Sequence, residues 1–126
     1  MLINIPVSVG ELFDKITILR IKAARLSDAG QLANVRRELE ELEAAAAGVP
    51  GSAELDALVA RLQAVNDGLW DVEDGKRAHE REGRFDAGFI ELARRVYKEN
   101  DQRASIKREI NRLTGSTLTE EKSHGR

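Results

Sequence analysis

Cysteine is absent from the 126-residue sequence, and histidine occurs only twice, at His79 and His124. These absences exclude a disulfide, a thiolate nucleophile and a zinc site built on cysteines or on several histidines. Proline occurs twice and aromatic residues make up only 4%, whereas 33% of the residues are charged. Such a composition is typical of helical and coiled-coil proteins rather than of β-sandwiches.

Long apolar runs are also absent. No stretch approaches the ~20 apolar residues of a membrane span, and the segment from Met1 to Val9 lacks the basic and apolar regions of a signal peptide. The net charge of -2 gives no general attraction to nucleic acid or to an anionic membrane. The sequence therefore predicts a cytoplasmic protein with neither nucleic acid nor membrane among its partners.

Apolar residues recur every three or four positions through most of the chain, which is the spacing of amphipathic helices. Residues such as Ser8, Ser52 and Asp86 supply start signals, and glycines near the breaks supply stop signals. The pattern predicts helices over about 9–28, 31–47, 53–82 and 86–113. They form a single domain of residues 1–115, followed by a polar tail of residues 116–126.

The connections between successive helices are short, which favours antiparallel neighbours. We therefore predict an all-α fold, a four-helix bundle of two antiparallel helical hairpins. The far end of helix three, near Gly83, is expected to project beyond the core. Before the first helix, Leu2 to Val7 alternate apolar and polar residues like an extended strand, which we expect to lie on the bundle or to pair with a second copy.

Polar residues interrupt the apolar stripes of helices three and four, at Asn66-Asp67 and at Asn100-Asp101. If helices three and four form an antiparallel pair joined by a turn near residue 84, facing residues have numbers that sum to about 168, twice the number of the turn residue. This holds because both helices rise ~1.5 Å per residue. The two interruptions then fall at the same level. The sequence therefore predicts one polar layer between the two helices.

The charges of helices three and four favour the same pairing. Residues 52–82 carry four basic and eight acidic side chains, whereas residues 84–113 carry eight basic and five acidic ones. Opposite charges on facing helices favour this pairing over alternatives. The ion pairs expected between the helices involve Asp71 and Asp74 with Arg94, Arg95 and Lys98.

Two interpretations of the polar layer remain open. In the first, Asn66, Asn100 and Arg103 fix the register of the helices, and Glu99 neutralises Arg103. In the second, the layer is a groove for a small polar or anionic ligand, since such pockets need an aromatic wall with a few converging polar groups. The candidate residues for this groove, or for a protein interface at the same place, are Asn66, Trp70, Glu73, Tyr97, Asn100, Arg103 and Lys107.

A secondary candidate site lies near the start of helix one, at Glu11, Asp14 and Lys15. The positive end of the helix dipole favours an anion at such a position. A capping box of Ser8 with Glu11, together with local ion pairs, explains the same residues without a ligand.

Enzymatic interpretations have weaker support. Acidic pairs such as Glu38 with Glu41 have the spacing found in helical Mg²⁺-dependent nucleotide pyrophosphohydrolases, but a chain with 22 acidic residues contains such pairs by chance. The basic helical residues would suit a chorismate-mutase-like bundle, whose usual first-helix pattern is missing. No Gly-rich phosphate loop or Ser/His/Asp set is present. We therefore predict no catalytic residue, no metal site and no cofactor.

Several motifs together cover almost the whole chain. They are PVSVGEL at 6–12, DKITIL at 14–19, VN..LW at 65–70, VY..ND at 96–101 and EEKS at 120–123. In these motifs the sequence resembles a family of small bacterial all-helical proteins of unknown function. The resemblance implies no activity, substrate or catalytic residue. It favours a tail in which Glu120 to Ser123 dock on a surface instead of fraying.

These observations favour a non-enzymatic protein–protein interaction or adaptor module of the bacterial cytoplasm, which forms a homodimer or binds another protein. The alternative is a small-ligand-binding protein or enzyme that uses a groove at Trp70, Tyr97 and Arg103. The two functions differ in geometry. An interface predicts an exposed apolar patch around Trp70, whereas a ligand site predicts a concave pocket into which Arg103 or Lys107 points.

Overall fold

Four α-helices account for most of the chain in the computed structural model, which describes residues 1–119 and Glu121. Their bounds are α1 Val9–Arg25, α2 Ala29–Ala46, α3 Ala53–Glu82 and α4 Ala87–Thr114. The described residues contain no strand. The predicted all-α fold is therefore confirmed, and each helix begins and ends close to its expected bounds.

A side-chain cap opens every helix. Each cap residue accepts a backbone N–H from the first turn, which satisfies one of the donors that a helix start leaves unbonded. The caps are Ser8, Asp28, Ser52 and Asp86. Because Asp28 is extended in order to cap α2, α1 ends at Arg25 instead of continuing to residue 28. At the other end, α3 and α4 are followed by Gly83 and Gly115, whose φ values of 66° and 68° favour glycine.

The two hairpins pack together through α1. The long helices α3 and α4 run along each other, α1 lies across their seam and contacts both, and among the described helices α2 packs on α1 alone. The core cluster comprises Leu55, Leu62, Ile106 and Ile110, with Val9 and Phe13 of α1 packed against it. Burying one such aliphatic side chain stabilises the fold by about 1.5–3 kcal/mol. The fold is thus the predicted four-helix bundle, with α2 outermost.

The register between α3 and α4 agrees with the predicted one. Gly68 lies against Glu99, and Gly75 lies against Leu92, within one residue of the expected sum of about 168. A Cβ at position 75 would lie 3.0 Å from a methyl carbon of Leu92, so glycine lets the two helices approach closely here. The polar interruptions of the two apolar stripes therefore meet at one level, as expected.

The far end of the α3–α4 hairpin projects beyond the rest of the domain. Arg25, the last residue of α1, pairs with Asp67 and Asp71, so α1 reaches only this level of α3. None of the described residues of α3 beyond Val72 is buried. Asp71, expected to face basic residues of α4, instead bonds to Arg25, because α1 covers this side of α3.

The tip of this hairpin is held by aromatic contacts. Phe85 packs edge-to-face on Phe89, with ring centroids 5.3 Å apart, and His79 contacts the other end of the same small cluster. Phe85 and Ile90 are each at least half exposed. The tip therefore keeps an exposed apolar surface.

The N-terminal segment lies outside the bundle of helices. Leu2, Ile3 and Ile5 are each more than 70% exposed, so the N-terminal segment does not lie on the bundle. Its pairing with a second copy stays a prediction. The expected docking of Glu120 to Ser123 falls on residues outside the described part of the chain, apart from Glu121. The four described helices include none that is long and apolar enough to cross a membrane.

Candidate functional site

A buried polar cluster lies where α1 crosses the seam between α3 and α4. Asn66 is only 4% exposed, and its side-chain nitrogen donates to Asp14 Oδ1 and to Thr17 Oγ1, each at 2.9 Å. Thr17 in turn donates to the backbone oxygen of Asp14 at 2.8 Å. Of the polar interruption of α3, Asn66 is therefore buried and Asp67 is half exposed. The hydrogen-bond partners of Asn66 come from α1.

Two cations of α4 complete this cluster. Lys107 is 6% exposed; its Nζ donates to Glu11 Oε2 at 2.7 Å and lies 3.7 Å from Asp14 Oδ2. Arg103 Nε lies 3.8 Å from Asp14 Oδ1. Glu99, considered as the partner of Arg103, bonds to Arg95 instead. The buried carboxylate of Asp14 and the partly exposed one of Glu11 are thus balanced by the cations of α4, and a desolvated charge such as Asp14 requires this.

The start of α1 is bonded to the end of α4. The N–H groups of Val9, Gly10 and Glu11 donate to Ser116 Oγ, Asn111 Oδ1 and Ser8 Oγ, at 3.2, 2.6 and 3.1 Å. These donors are consequently used within the chain and are not available to an anion. Of the secondary candidates, Glu11 and Asp14 join the buried cluster, whereas Lys15 stays on the surface, 3.9 Å from Glu11.

A groove of about 290 Å³ opens beside the buried cluster, between α1, α3 and α4. This volume is at the small end of the range for ligand pockets. Most of its lining comes from one face of α3, with one residue each from α1 and α4. The lining residues are Ile18, Asn66, Leu69, Trp70, Glu73, Asp74, Arg77 and Arg103.

The groove brings together four of the seven predicted site residues, namely Asn66, Trp70, Glu73 and Arg103. Lys107 lies in the buried cluster behind it. Tyr97 is 56% exposed and, like Asn100, does not line the groove. Tyr97 precedes Arg103 by six residues, which at 3.6 residues per turn places it on another side of α4.

The sequence prediction placed Asp14 in a separate site near the start of helix one and did not name Arg77. Asp14 and Thr17 support the groove from behind, as a polar pair at helical spacing within the stripe formed by Gly10 and Ile21, both buried. Arg77 lies eleven residues after Asn66, hence on the same face of α3 as Trp70 and Glu73.

Trp70 is held in place by a cation from α1. The guanidinium carbon of Arg25 lies 5.9 Å from the centre of the indole ring, at the distance of a cation–π contact. The hydrogen bond to Asp71 and the nearby charge of Asp67 raise the pKa of Arg25 above its ordinary value. Arg25 therefore remains charged and braces the aromatic wall of the groove.

Two polar groups at the groove lack a complete set of partners among the described residues. Only Nε of Arg103 pairs with a carboxylate; its two terminal amino groups bond to none of residues 1–119 or Glu121. The side-chain oxygen of Asn66 is buried and accepts no hydrogen bond from a described residue. The groove thus offers a guanidinium fork, whereas the oxygen of Asn66 is enclosed by the chain.

A larger depression has a different character. It measures about 580 Å³, lies between α1, α2 and α3, and is lined mostly by apolar side chains and alanines. Its charged residues Arg20, Glu43 and Asp56 are exposed, and the first two pair with each other at 3.8 Å. Within the described part of the chain, no group of three or more histidines, aspartates or glutamates could hold a metal ion. The Trp70 groove is therefore the stronger candidate site.

Comparison with known proteins gives a family but no activity. No curated protein matches the sequence, and no solved structure matches it either. The sequence model of one family matches residues 3–125, which confirms the resemblance inferred from the motifs. The chain belongs to a family of unknown function, DUF6165.

Proposed function

We propose that this protein binds a small polar or anionic molecule in the groove beside Trp70. The observation that carries the proposal is the position of Arg103, which lines a concave pocket and has two amino groups without a partner among the described residues. A guanidinium presents these donors as a planar fork, which matches the oxygens of a carboxylate or a phosphate.

The surroundings of Arg103 favour binding with little rearrangement. Its Nε rests on Asp14, which is itself held by Asn66 and Lys107. Trp70 is braced by Arg25. Side chains that are already held in their bound positions lose less conformational freedom when a ligand arrives.

The proposal is tested by a binding screen that uses thermal shift and intrinsic fluorescence. Trp70 is the only tryptophan of the sequence, so its emission reports on this groove alone. The screen contains nucleotides with and without Mg²⁺, sugar phosphates, dicarboxylates and amino acids. A ligand at 100 times its Kd stabilises the protein by about 2.7 kcal/mol, which is easily detected.

Arg103→Ala should weaken any hit by about tenfold or more, because a charge-assisted hydrogen bond contributes about 1.5–3 kcal/mol. Arg36→Ala is the matched control, since Arg36 is exposed on α2 and away from the groove. If no compound of the screen binds, or if the two variants weaken the binding of a compound equally, the groove is not a ligand site.

A second candidate is the self-associating interaction module of the cytoplasm that the sequence favoured. It is supported by the exposed apolar side chains of the N-terminal segment, Leu2, Ile3 and Ile5. We propose that two copies pair through these segments, since an extended segment with an unbonded backbone is a template for strand pairing.

The homodimer is tested by light scattering on the full chain and on a chain that lacks residues 1–7. The deletion retains Ser8 and therefore the cap of α1. We expect a dimer that becomes a monomer on deletion. A full chain that is monomeric at high concentration, or a dimer that survives the deletion, would contradict this pairing.

A further inference from the structure

The depression between α1, α2 and α3 is an open apolar cleft. It exists because α2 and α3 both pack on α1 and, among the described helices, make no contact with each other. Its volume is about 580 Å³. Each of the three helices contributes apolar or small side chains to it, namely Phe13, Ile16, Ala46, Ala47, Val59 and Ala60.

The N-terminal segment, residues 2–7, is an exposed apolar surface of matching character. Leu2, Ile3 and Ile5 are each more than 70% exposed, and residues 1–8 contain no charged side chain. An apolar cavity of about 150 Å³ holds one benzene-sized group, so the cleft has room for three such side chains. The described chain thus carries both an apolar segment that nothing covers and an apolar cleft that no side chain fills.

The segment and the cleft lie close together at the start of α1. The segment ends at Ser8, the cap of α1. The first residue of α1 that lines the cleft is Phe13, about 7.5 Å further along the helix. Seven extended residues span up to about 23–25 Å. A two-fold axis that brings the starts of α1 of two copies together therefore brings each segment within reach of the cleft of the other copy.

Paired segments also need a surface on which to pack. Two strands alone are only marginally stable in water, and packing against helices stabilises them. Alternate residues of a strand point to the same side, so Ile3, Ile5 and Val7 form one apolar face. These side chains from two copies, with the cleft surfaces that they cover, bury on the order of 1,000 Å². This area is about what a stable interface requires.

From these observations we infer that, in a homodimer, the N-terminal segment of each copy lies in the apolar cleft of the other. The inference rests on the homodimer proposed above and specifies what its segments pack on. Ile3 and Ile5 enter the cleft, where the small side chains of Ala46 and Ala60 leave room for them. The exchange is reciprocal, so the assembly closes at two copies.

Cross-linking tests the inference, because the chain has no natural cysteine with which a reagent could react. Chains with Ile5→Cys and chains with Ala60→Cys are co-expressed and treated with a short bis-maleimide, and mass spectrometry identifies the linked products. Position 60 is exposed and lines the cleft. In the control mixture, Ser105→Cys replaces Ala60→Cys, since Ser105 is exposed on α4, none of whose described residues lines the cleft.

We expect chains with Ile5→Cys to become linked to chains with Ala60→Cys, and several times less often to chains with Ser105→Cys. Equal yields in the two mixtures would contradict the exchange. The double variant Ile5→Cys/Ala60→Cys gives a further check. If its two cysteines become linked only within one chain, each segment lies in the cleft of its own copy and the inference is wrong.

Ala60→Glu separates the role of the cleft from the pairing of the segments. The added carboxylate would be desolvated in the occupied cleft, so the variant should raise the Kd of the dimer by about tenfold or more. Ser105→Glu is the matched control and should leave the Kd unchanged. The thermal midpoint checks that both variants fold, and light scattering over a range of concentrations measures the Kd.

The outcomes distinguish the inference from the homodimer on which it rests. If Ala60→Glu leaves the Kd unchanged while the chain that lacks residues 1–7 is a monomer, the segments form the homodimer but do not lie in the cleft. If the unmodified chain is monomeric at high concentration, the proposed homodimer fails as well.

Discussion

Lys107 is the residue on which the balance of charge inside the domain depends. Both Lys107 and Lys15 pair with Glu11, at 2.7 Å and 3.9 Å. The Lys107 side chain is 7% exposed and the Lys15 side chain 48%. Removing a buried cation leaves its carboxylate partners desolvated and unpaired, whereas an exposed pair contributes little.

We therefore expect Lys107→Met to lower the free energy of unfolding by about 3–5 kcal/mol. The matched variant Lys15→Met should change it by no more than about 1 kcal/mol. Urea unfolding followed by circular dichroism measures both. If both variants change the free energy of unfolding by a similar, small amount, the cluster around Asp14 is not desolvated in solution.

The residue scale also shows where prediction from sequence succeeded. The burial of Asn66 followed from its position in the stripe of α3, because helical periodicity is a local property of the sequence. The partners of Asn66 did not follow. Asp14 lies more than fifty residues earlier in the chain, and nothing local to either residue indicates that the two side chains meet.

At the scale of elements, the contact between the start of α1 and the end of α4 requires a glycine. A Cβ at Gly10 would lie 2.6 Å from the backbone oxygen of Lys107. In a helix, alanine normally stabilises relative to glycine. Here the added Cβ would clash with the backbone oxygen of Lys107, so α1 or α4 would have to shift.

We expect Gly10→Ala to destabilise the protein by about 1–3 kcal/mol, as overpacking does. Gly51→Ala is the control, because a Cβ there meets nothing within 4 Å; it should be neutral or slightly stabilising. Thermal unfolding of the two variants decides the matter. A stabilised Gly10→Ala variant would show that α1 and α4 do not approach this closely.

The cap of α4 makes stability depend on pH. The pKa of Asp86 is lowered from 3.8 because its carboxylate accepts the Phe89 backbone N–H, with His79 and Arg84 nearby as additional favourable charges. A carboxyl whose pKa is lower in the folded state stabilises it at pH values above the unfolded pKa. This contribution is lost as the pH falls through the lower, folded pKa.

Asp86→Asn isolates this contribution, since asparagine caps a helix as well as aspartate but does not titrate. At pH 7 we expect the melting temperature of the variant to be slightly lower than that of the unmodified protein, because the variant lacks the negative charge of the Asp86 carboxylate. The gap in melting temperature should close as the pH falls below about 3.8. Groups that do not interact with Asp86 titrate alike in both proteins and cancel in the difference. A gap that does not change with pH would contradict the role of the Asp86 charge.

The elements themselves were largely predictable, and their boundaries and partners less so. Caps, glycine stops and apolar stripes are short-range signals, and one tight connection at Gly83 sets the register of α3 against α4. No such connection joins α1 to α4, since the chain reaches α4 only through α2 and α3. The end of α1 and the start of α2 were misplaced because Asp28 is the cap of α2.

At the scale of the whole molecule, α1 divides the α3–α4 hairpin into two parts. The part near the core is covered by α1 and contains every buried residue of these two helices, from Leu55 to Val72 and from Ile106 to Asn111. The projecting part, around the Gly83 turn, contains none of the buried residues described in α3 and α4. The groove lies at the boundary, because Asn66 and Arg103 belong to the covered part and Arg77 to the projecting part.

This division predicts two cooperative units within one hairpin. Local opening exposes little apolar surface in residues 73–95 and much in residues 55–72, so backbone amides of the first range should exchange with solvent faster. Hydrogen exchange followed by mass spectrometry measures this along a single helix. A ligand in the groove contacts both parts and should slow exchange at residues 73–77 more than at the tip. If the backbone amides exchange equally slowly along the whole of α3, the hairpin opens as one unit. A ligand at Trp70 would then not connect two separately opening parts.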